Sequence, residues 1–220
     1  MTFFKKDTRL RAGLKTNRIE AFSDGVFAIA ITILVLTITV PSLTKEQIAQ
    51  GQLLPALLSL WPKILAYIIS FAIVGIFWIG HHIMFHYIKK TDRQILWLNN
   101  IFLMVVSFLP VPATLLGLYT TSKVAIILYG ATLLTASLLF YCMWKHAVTG
   151  FRLTHDHLDP KLLHKASELL LFGPLLYFIA IFASFLSPYL SLFLYIIVPL
   201  FYILPGPIDQ LVDFAEEEND

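Results

Sequence analysis

Time after time this chain runs for fifteen or more residues with hardly a charge, as in "VFAIAITILVLTITV", "ILAYIISFAIVGIFWIG" and, in its back half, "YLSLFLYIIVPLFYIL". A bilayer core of about 30 Å asks for roughly 20 apolar residues per helix, and a surface solvated by water could not carry so many such runs. With 58% hydrophobic and only 14% charged residues in 220, the chain reads as a polytopic membrane protein. Spanning strands would show segments of about ten alternating residues, whereas these runs are continuously apolar, so the fold class is all-α.

Charge, proline and glycine divide the runs into six expected helices, over about 19 to 40, 54 to 88, 94 to 119, 124 to 149, 162 to 186 and 189 to 204. A cytoplasmic N-terminus puts Lys5, Lys6, Arg9, Arg11, Lys15, Arg18, Lys89, Lys90, Arg93, Lys145, Arg152, Lys161 and Lys165 inside, leaving only Lys45, Lys63 and Lys123 outside. That asymmetry predicts six spans with both termini cytoplasmic. Residues 1–204 are expected to form a single transmembrane domain and 205–220, ending in "EEEND", an acidic cytoplasmic tail. The outer segment "PSLTKEQIAQGQLL" reads as a short polar loop, so function must sit in the helices. No phosphate loop or nucleotide fingerprint is present, and the single cysteine, Cys142, allows no internal disulfide.

The first run is preceded by Arg18, Glu20, Ser23 and Asp24. Two readings compete: Ser23 or Asp24 caps a helix starting at Gly25, or the helix starts near Arg18 and carries them inside it. A helix from Gly25 to Val40 would be only about 24 Å long, short for a bilayer. Further on, Ile29, Thr32, Ile33 and Leu36 recur at steps of three and four, continued by Val40, and Asp24 is expected roughly in line with them. Such a row suits packing against a neighbour, or a narrow apolar path that gates by dewetting.

On the second run, Trp78 and His81 share one face and His82 and His86 another. The second pair has the spacing of metal or haem ligands, and by the same token of two interfacial histidines. The third run brings Asn99 and Asn100 early, and Pro110 and Pro112 should bend its outer half. Helices two and three form a hairpin, so Trp78, His81 and Asn99 are expected at the depth of Asp24. The last three helices, with Thr132, Thr135, Ser137, Glu168 and Ser184, read as scaffold. The histidines of "KHAVTGFRLTHDHLDPKLLHK" are expected in a solvated loop.

The run Arg18-x-x-x-Phe22-Ser23-Asp24-Gly25 followed by "VFAIAITILVL" resembles the hallmark of the transmembrane protein 175 family of endosomal and lysosomal potassium channels and their prokaryotic relatives. The segments "WIGHHIMF" and "WLNNIFLMVVSFLPVPAT" are similar to that family's second and third helices; the back half matches in helix count. One six-helix unit, rather than two in tandem, resembles the prokaryotic form. The resemblance implies a potassium-selective cation channel and not an enzyme, with no cofactor and no nucleic-acid partner, in the prokaryotic plasma membrane. It implies a homotetramer whose first helices line the pore through Ile29, Thr32, Ile33 and Leu36. It also implies a structural network of Arg18, Phe22, Ser23, Asp24, Trp78, His81 and Asn99.

Physical reasoning runs alongside. One helix cannot enclose a path, so a closed symmetric oligomer is needed. Ile29 to Leu36 span about 10 Å of rise, and bare potassium entering so apolar a neck would lose its water at large cost. Conduction then needs a neck wide enough to keep most of that water, and selectivity should be modest. Two rival expectations are a proton-coupled transporter titrating Asp24 and His81, and a metal or haem enzyme using His82 and His86.

Overall fold

The computed structural model describes residues 15–151, 153–154 and 160–203. Lys5, Lys6, Arg9, Arg11, Arg152, the loop histidines His155 and His157, and the expected tail 205–220 lie outside the described residues. Nine α-helices follow one another among those described: α1 (Asn17–Val35), α2 (Lys45–Ala49), α3 (Leu53–Leu58), α4 (Trp61–Tyr87), α5 (Arg93–Phe108), α6 (Pro110–Leu118), α7 (Lys123–Val148), α8 (Pro160–Ala183) and α9 (Pro188–Ile203).

Most of the differences from the expected boundaries trace to backbone chemistry. The first helix ends at Val35 rather than Val40, and Leu36 caps it. Thr37, Ile38, Thr39 and Val40 are β-branched and Pro41 disfavours a helical Val40, so the helix cannot be sustained to the end of the apolar run. The outer segment expected as loop holds α2, opened by a capping box: Thr44 Oγ1 accepts from Gln47 N–H while Gln47 Oε1 accepts from Thr44 N–H. The second expected helix is broken between α3 and α4, where Trp61 and Pro62 start a new helix. The third divides at Leu109, because Pro110 has no N–H to continue the ladder. The remaining three follow their expected ranges within a few residues.

Four stretches are long and apolar enough to cross a membrane: Leu53–Tyr87, Arg93–Leu118, Lys123–Val148 and Leu163–Ala183. Their presence, with no strand ladder among the described residues, makes this an all-helical membrane protein. Helix α9 is apolar but has only 16 residues, and α1 includes Arg18, Glu20 and Asp24 within its 19.

Helix α7 packs against α5, α6, α8 and α9, and α4 against α1, α6 and α9. Helix α1 touches α4, α5 and α6, covered on one side only. In lipid, apolar side chains gain little by leaving their surroundings, so cohesion falls to close packing and interhelical hydrogen bonds. Both are present. Gly117 of α6 sits against the Lys63 backbone and Gly130 of α7 against the Tyr195 hydroxyl, positions where a methyl group would collide. Tyr195 Oη donates to Ile126 O (3.0 Å), Ser191 Oγ to Ala180 O (2.7 Å) and Trp144 Nε1 to Ser167 Oγ (2.9 Å). Ser70 spends its one proton on Ala66 O (2.7 Å), so Tyr129 is the donor in their 3.0 Å contact.

Candidate functional site: a three-helix polar network and the open face of α1

Helix α1 begins at Asn17, so Ser23 and Asp24 lie well inside it and cap nothing. Its buried residues are Ile19, Ser23, Phe27, Ala30 and Leu34, a three- and four-residue recurrence that sets one row against α4 and α5. Phe27 is 1% and Leu34 0% exposed, whereas Ile29 is 60%, Ile33 42% and Leu36 73% exposed, and Thr32 is exposed too. The expected row therefore points away from the chain's own bundle.

At 100° per residue, Arg18 and Phe22 fall within about 20° of Ile29, while Asp24 lies about 140° round the helix. Asp24 is thus not in line with the row, in contrast to the sequence expectation. It turns to α4, where Trp78 Nε1 donates to Asp24 Oδ1 at 2.9 Å. Arg18 and the 56% exposed Phe22 stand on the open face and share no hydrogen bond with the network's side chains.

The buried part of the network joins Ser23, Asn99 and His81, all at most 2% exposed. Ser23 Oγ donates to Ile19 O (2.7 Å) and accepts from Asn99 Nδ2 (3.0 Å). Asn99 Oδ1 has only lone pairs to offer, so His81 Nε2, 3.0 Å away, carries the hydrogen and donates. Ser23 Oγ, both polar atoms of the Asn99 amide and His81 Nε2 each have a partner, and one amide ties three helices together. Aromatic rings close around it: Phe27 meets the His81 ring edge-on (centroids 5.6 Å) and Phe85 stacks on it at 4.5 Å. Phe102 then links Phe27 to Phe77 and Phe140, with centroids 6.0, 5.5 and 5.4 Å apart. Asp24 and His81 belong to separate strings of side-chain hydrogen bonds.

His82 and His86 are exposed; His82 stacks on Trp78 (6.4 Å), and no trio of His, Cys, Asp or Glu gathers among the described residues. On the open face, Thr32 Oγ1 lies 3.0 Å from Ala28 O and 2.9 Å from Ile29 O, donating back into its own helix. A link not foreseen from the sequence joins α7 to the α5 N-terminus: His146 Nε2 is 2.8 Å from Asp92 Oδ2. The other oxygen, Oδ1, caps the N–H groups of Gln94 (3.0 Å) and Ile95 (2.9 Å). Partial burial pushes the Asp92 carboxyl up, but the hydrogen bonds from Ile95, His146 and Gln94 outweigh it and hold the group below its ordinary value. The Asp92 N-cap, two residues ahead of "QILWL", was the signal available in the sequence.

The sequence profile of the family described as endosomal/lysosomal potassium channel TMEM175 matches residues 18–110, the stretch that contains every side chain of this network. A potassium channel of Chamaesiphon minutus is 39% identical over 193 residues, covering 86% of this chain and 94% of its own. The chain belongs to the TMEM175 family. The family is one of ion channels rather than enzymes. A crystal structure described as a lysosomal potassium-selective channel TMEM175 homolog from the same organism superposes with a TM-score of 0.75 at 37% identity, covering 85% of this chain and 95% of the other. The human endosomal/lysosomal proton channel TMEM175 is 42% identical over 106 residues, which is 46% of this chain and 21% of the human protein.

Proposed function

We propose that this chain is one subunit of a homotetrameric, potassium-permeable channel of modest selectivity in a prokaryotic plasma membrane, its central path lined by four copies of α1. Ile29, Thr32, Ile33 and Leu36 face that path, and the apolar rings act as both gate and filter. The observation that carries this reading is the division of α1 into a row bonded into its own bundle and an opposite apolar row that the bundle leaves open. Four equivalent helices would turn those rows on each other around an axis. The polar network of Ser23, Asp24, Trp78, His81 and Asn99 then serves to hold α1 at a fixed rotation, with Arg18 and Phe22 on the open side at the inner mouth.

In this reading the chain crosses the membrane six times, through α1, α3 with α4, α5 with α6, α7, α8 and α9, and the four long apolar stretches support four of those crossings. The lysine and arginine distribution favours cytoplasmic termini, with 1–204 as channel domain and 205–220 as tail. Relatives from Chamaesiphon minutus and Streptomyces collinus, both named potassium channels, support potassium as the transported ion.

Reconstitution into liposomes, with potassium, sodium and proton flux measured side by side, tests the proposal. Ile29→Asn should wet the neck and raise potassium flux or relax selectivity. Unchanged flux and selectivity would mean that the row faces lipid. Protons belong in the assay because the human relative is named a proton channel.

A further inference from the structure

A cavity of about 380 Å³ lies among α4, α7, α8 and α9, on the side of α4 away from α1: Trp78 is about 160° round that helix from Gly80, which lines the cavity. Its walls come from α4 from Ile73 onward, α7 from Ser137, α9 from Val198 and α8 only as far as Tyr177. These stretches occupy one half of the bundle, the half towards the α4 C-terminus and the α8 N-terminus. Along α4 the cleft runs from Ile73 to Tyr87, a rise of about 21 Å, somewhat more than the depth of one leaflet.

The walls are mostly apolar, and all but one of the side-chain polar groups they carry are engaged, the Tyr177 hydroxyl being the exception. Ser137 Oγ donates to Leu133 O (2.8 Å), Tyr202 Oη to Leu169 O (2.9 Å) and the Trp144 indole to Ser167. A polar ligand would find little beyond the single Tyr177 hydroxyl, whereas a hydrocarbon chain would meet packing surface along most of the wall. Among the described residues, Lys89, Lys90, Arg93, Lys145, Lys161 and Lys165 stand at the same end, with the acids Asp92 and Glu168; the opposite end has Lys45, Lys63 and Lys123 with Glu46. We propose that this cleft holds an acyl chain of an anionic phospholipid, whose headgroup rests at the lysine-bearing end. That this is the cytoplasmic leaflet rests on the topology proposed above; occupancy itself does not depend on conduction.

Native mass spectrometry of the detergent-purified full chain, titrated with phosphatidylglycerol or phosphatidylcholine of identical acyl composition, tests it. Phosphatidylglycerol should be retained preferentially, and Lys161→Glu with Lys165→Glu should lower its retention about tenfold while sparing phosphatidylcholine. Leu170→Trp or Ile76→Trp, which fill the cleft from two different helices, should displace both lipids; circular dichroism and a monodisperse elution profile confirm that each variant is folded. Folded tryptophan variants that keep wild-type retention would overturn the site, and equal retention of the two lipids would overturn the anionic assignment. Deleting residues 205–220 should leave retention unchanged. A rise would identify the tail as the occupant and overturn the lipid proposal. Lipid retention is read without flux, so its failure and a failure of the channel reading are separate results.

Discussion

Replacing Asn99 by alanine removes the one side chain that binds both Ser23 of α1 and His81 of α4. The two partners do not suffer equally. Ser23 keeps its 2.7 Å bond to Ile19 O, but His81 Nε2–H, in a residue 2% exposed, loses its acceptor. An orphaned buried donor costs about 1–3 kcal/mol in water-soluble proteins. Interhelical hydrogen bonds in membranes average nearer ~0.6 and reach ~1.7 kcal/mol, because separated helices in lipid find other partners. The His81 ring is enclosed by Phe27 and Phe85, which leaves it little room to turn to a substitute, so we expect the upper part of the membrane range, about 1.5 kcal/mol. Ser23→Ala, which removes one link and leaves the Asn99–His81 bond intact, should cost about half as much. SDS titration of the protein in mild detergent micelles, followed by circular dichroism, measures both. A cycle of Asn99→Ala with His81→Ala should show coupling of about 1 kcal/mol. Additive single variants, or an Asn99→Ala protein as stable as wild type, would refute the view that this amide fastens α1 to its neighbours.

Asp92→Ala should cost about 1 kcal/mol by removing a helix N-cap, together with the contact to His146. Because the Asp92 native pKa lies below its ordinary value, its stabilising contribution is complete above the unfolded pKa and fades as pH falls through the native one. Melting curves between neutral and acid pH should therefore lose part of their acid dependence in Asp92→Asn, which keeps the cap without the titration. Gly130→Ala drives a methyl group into the Tyr195 hydroxyl and Ile181, and should destabilise by about 1–3 kcal/mol; thermal melts of Gly130→Ala alone and combined with Tyr195→Phe distinguish a clash with the hydroxyl from one with the ring.

The helices were legible wherever composition decides them, and so was the meeting of Trp78, His81 and Asn99 with the first helix, since a tight hairpin between two spans equalises depth. Rotation about a helix axis was harder. Asp24 was expected roughly in line with Ile29 and Leu36, yet the five-residue step to Ile29 turns it about 140° away, towards Trp78. Arg18 and Phe22 share the hallmark motif with Ser23 and Asp24, but adjacency in sequence is not adjacency on a helix surface. Helix α2 went unseen although Thr44 and Gln47 stand at capping-box spacing. The ties through Tyr129 and Tyr195 were equally hidden, because an aromatic in an apolar run gives no hint of where its hydroxyl finds a partner.

Thr32 has one further consequence. Its only hydroxyl hydrogen is directed backward to the carbonyls of Ala28 and Ile29, so what that oxygen offers outward is its lone pairs alone. On the proposed reading of α1 as pore wall, an ion at this level would meet a Lewis base with no proton to lend, kind to a positively charged visitor and barren for a chloride.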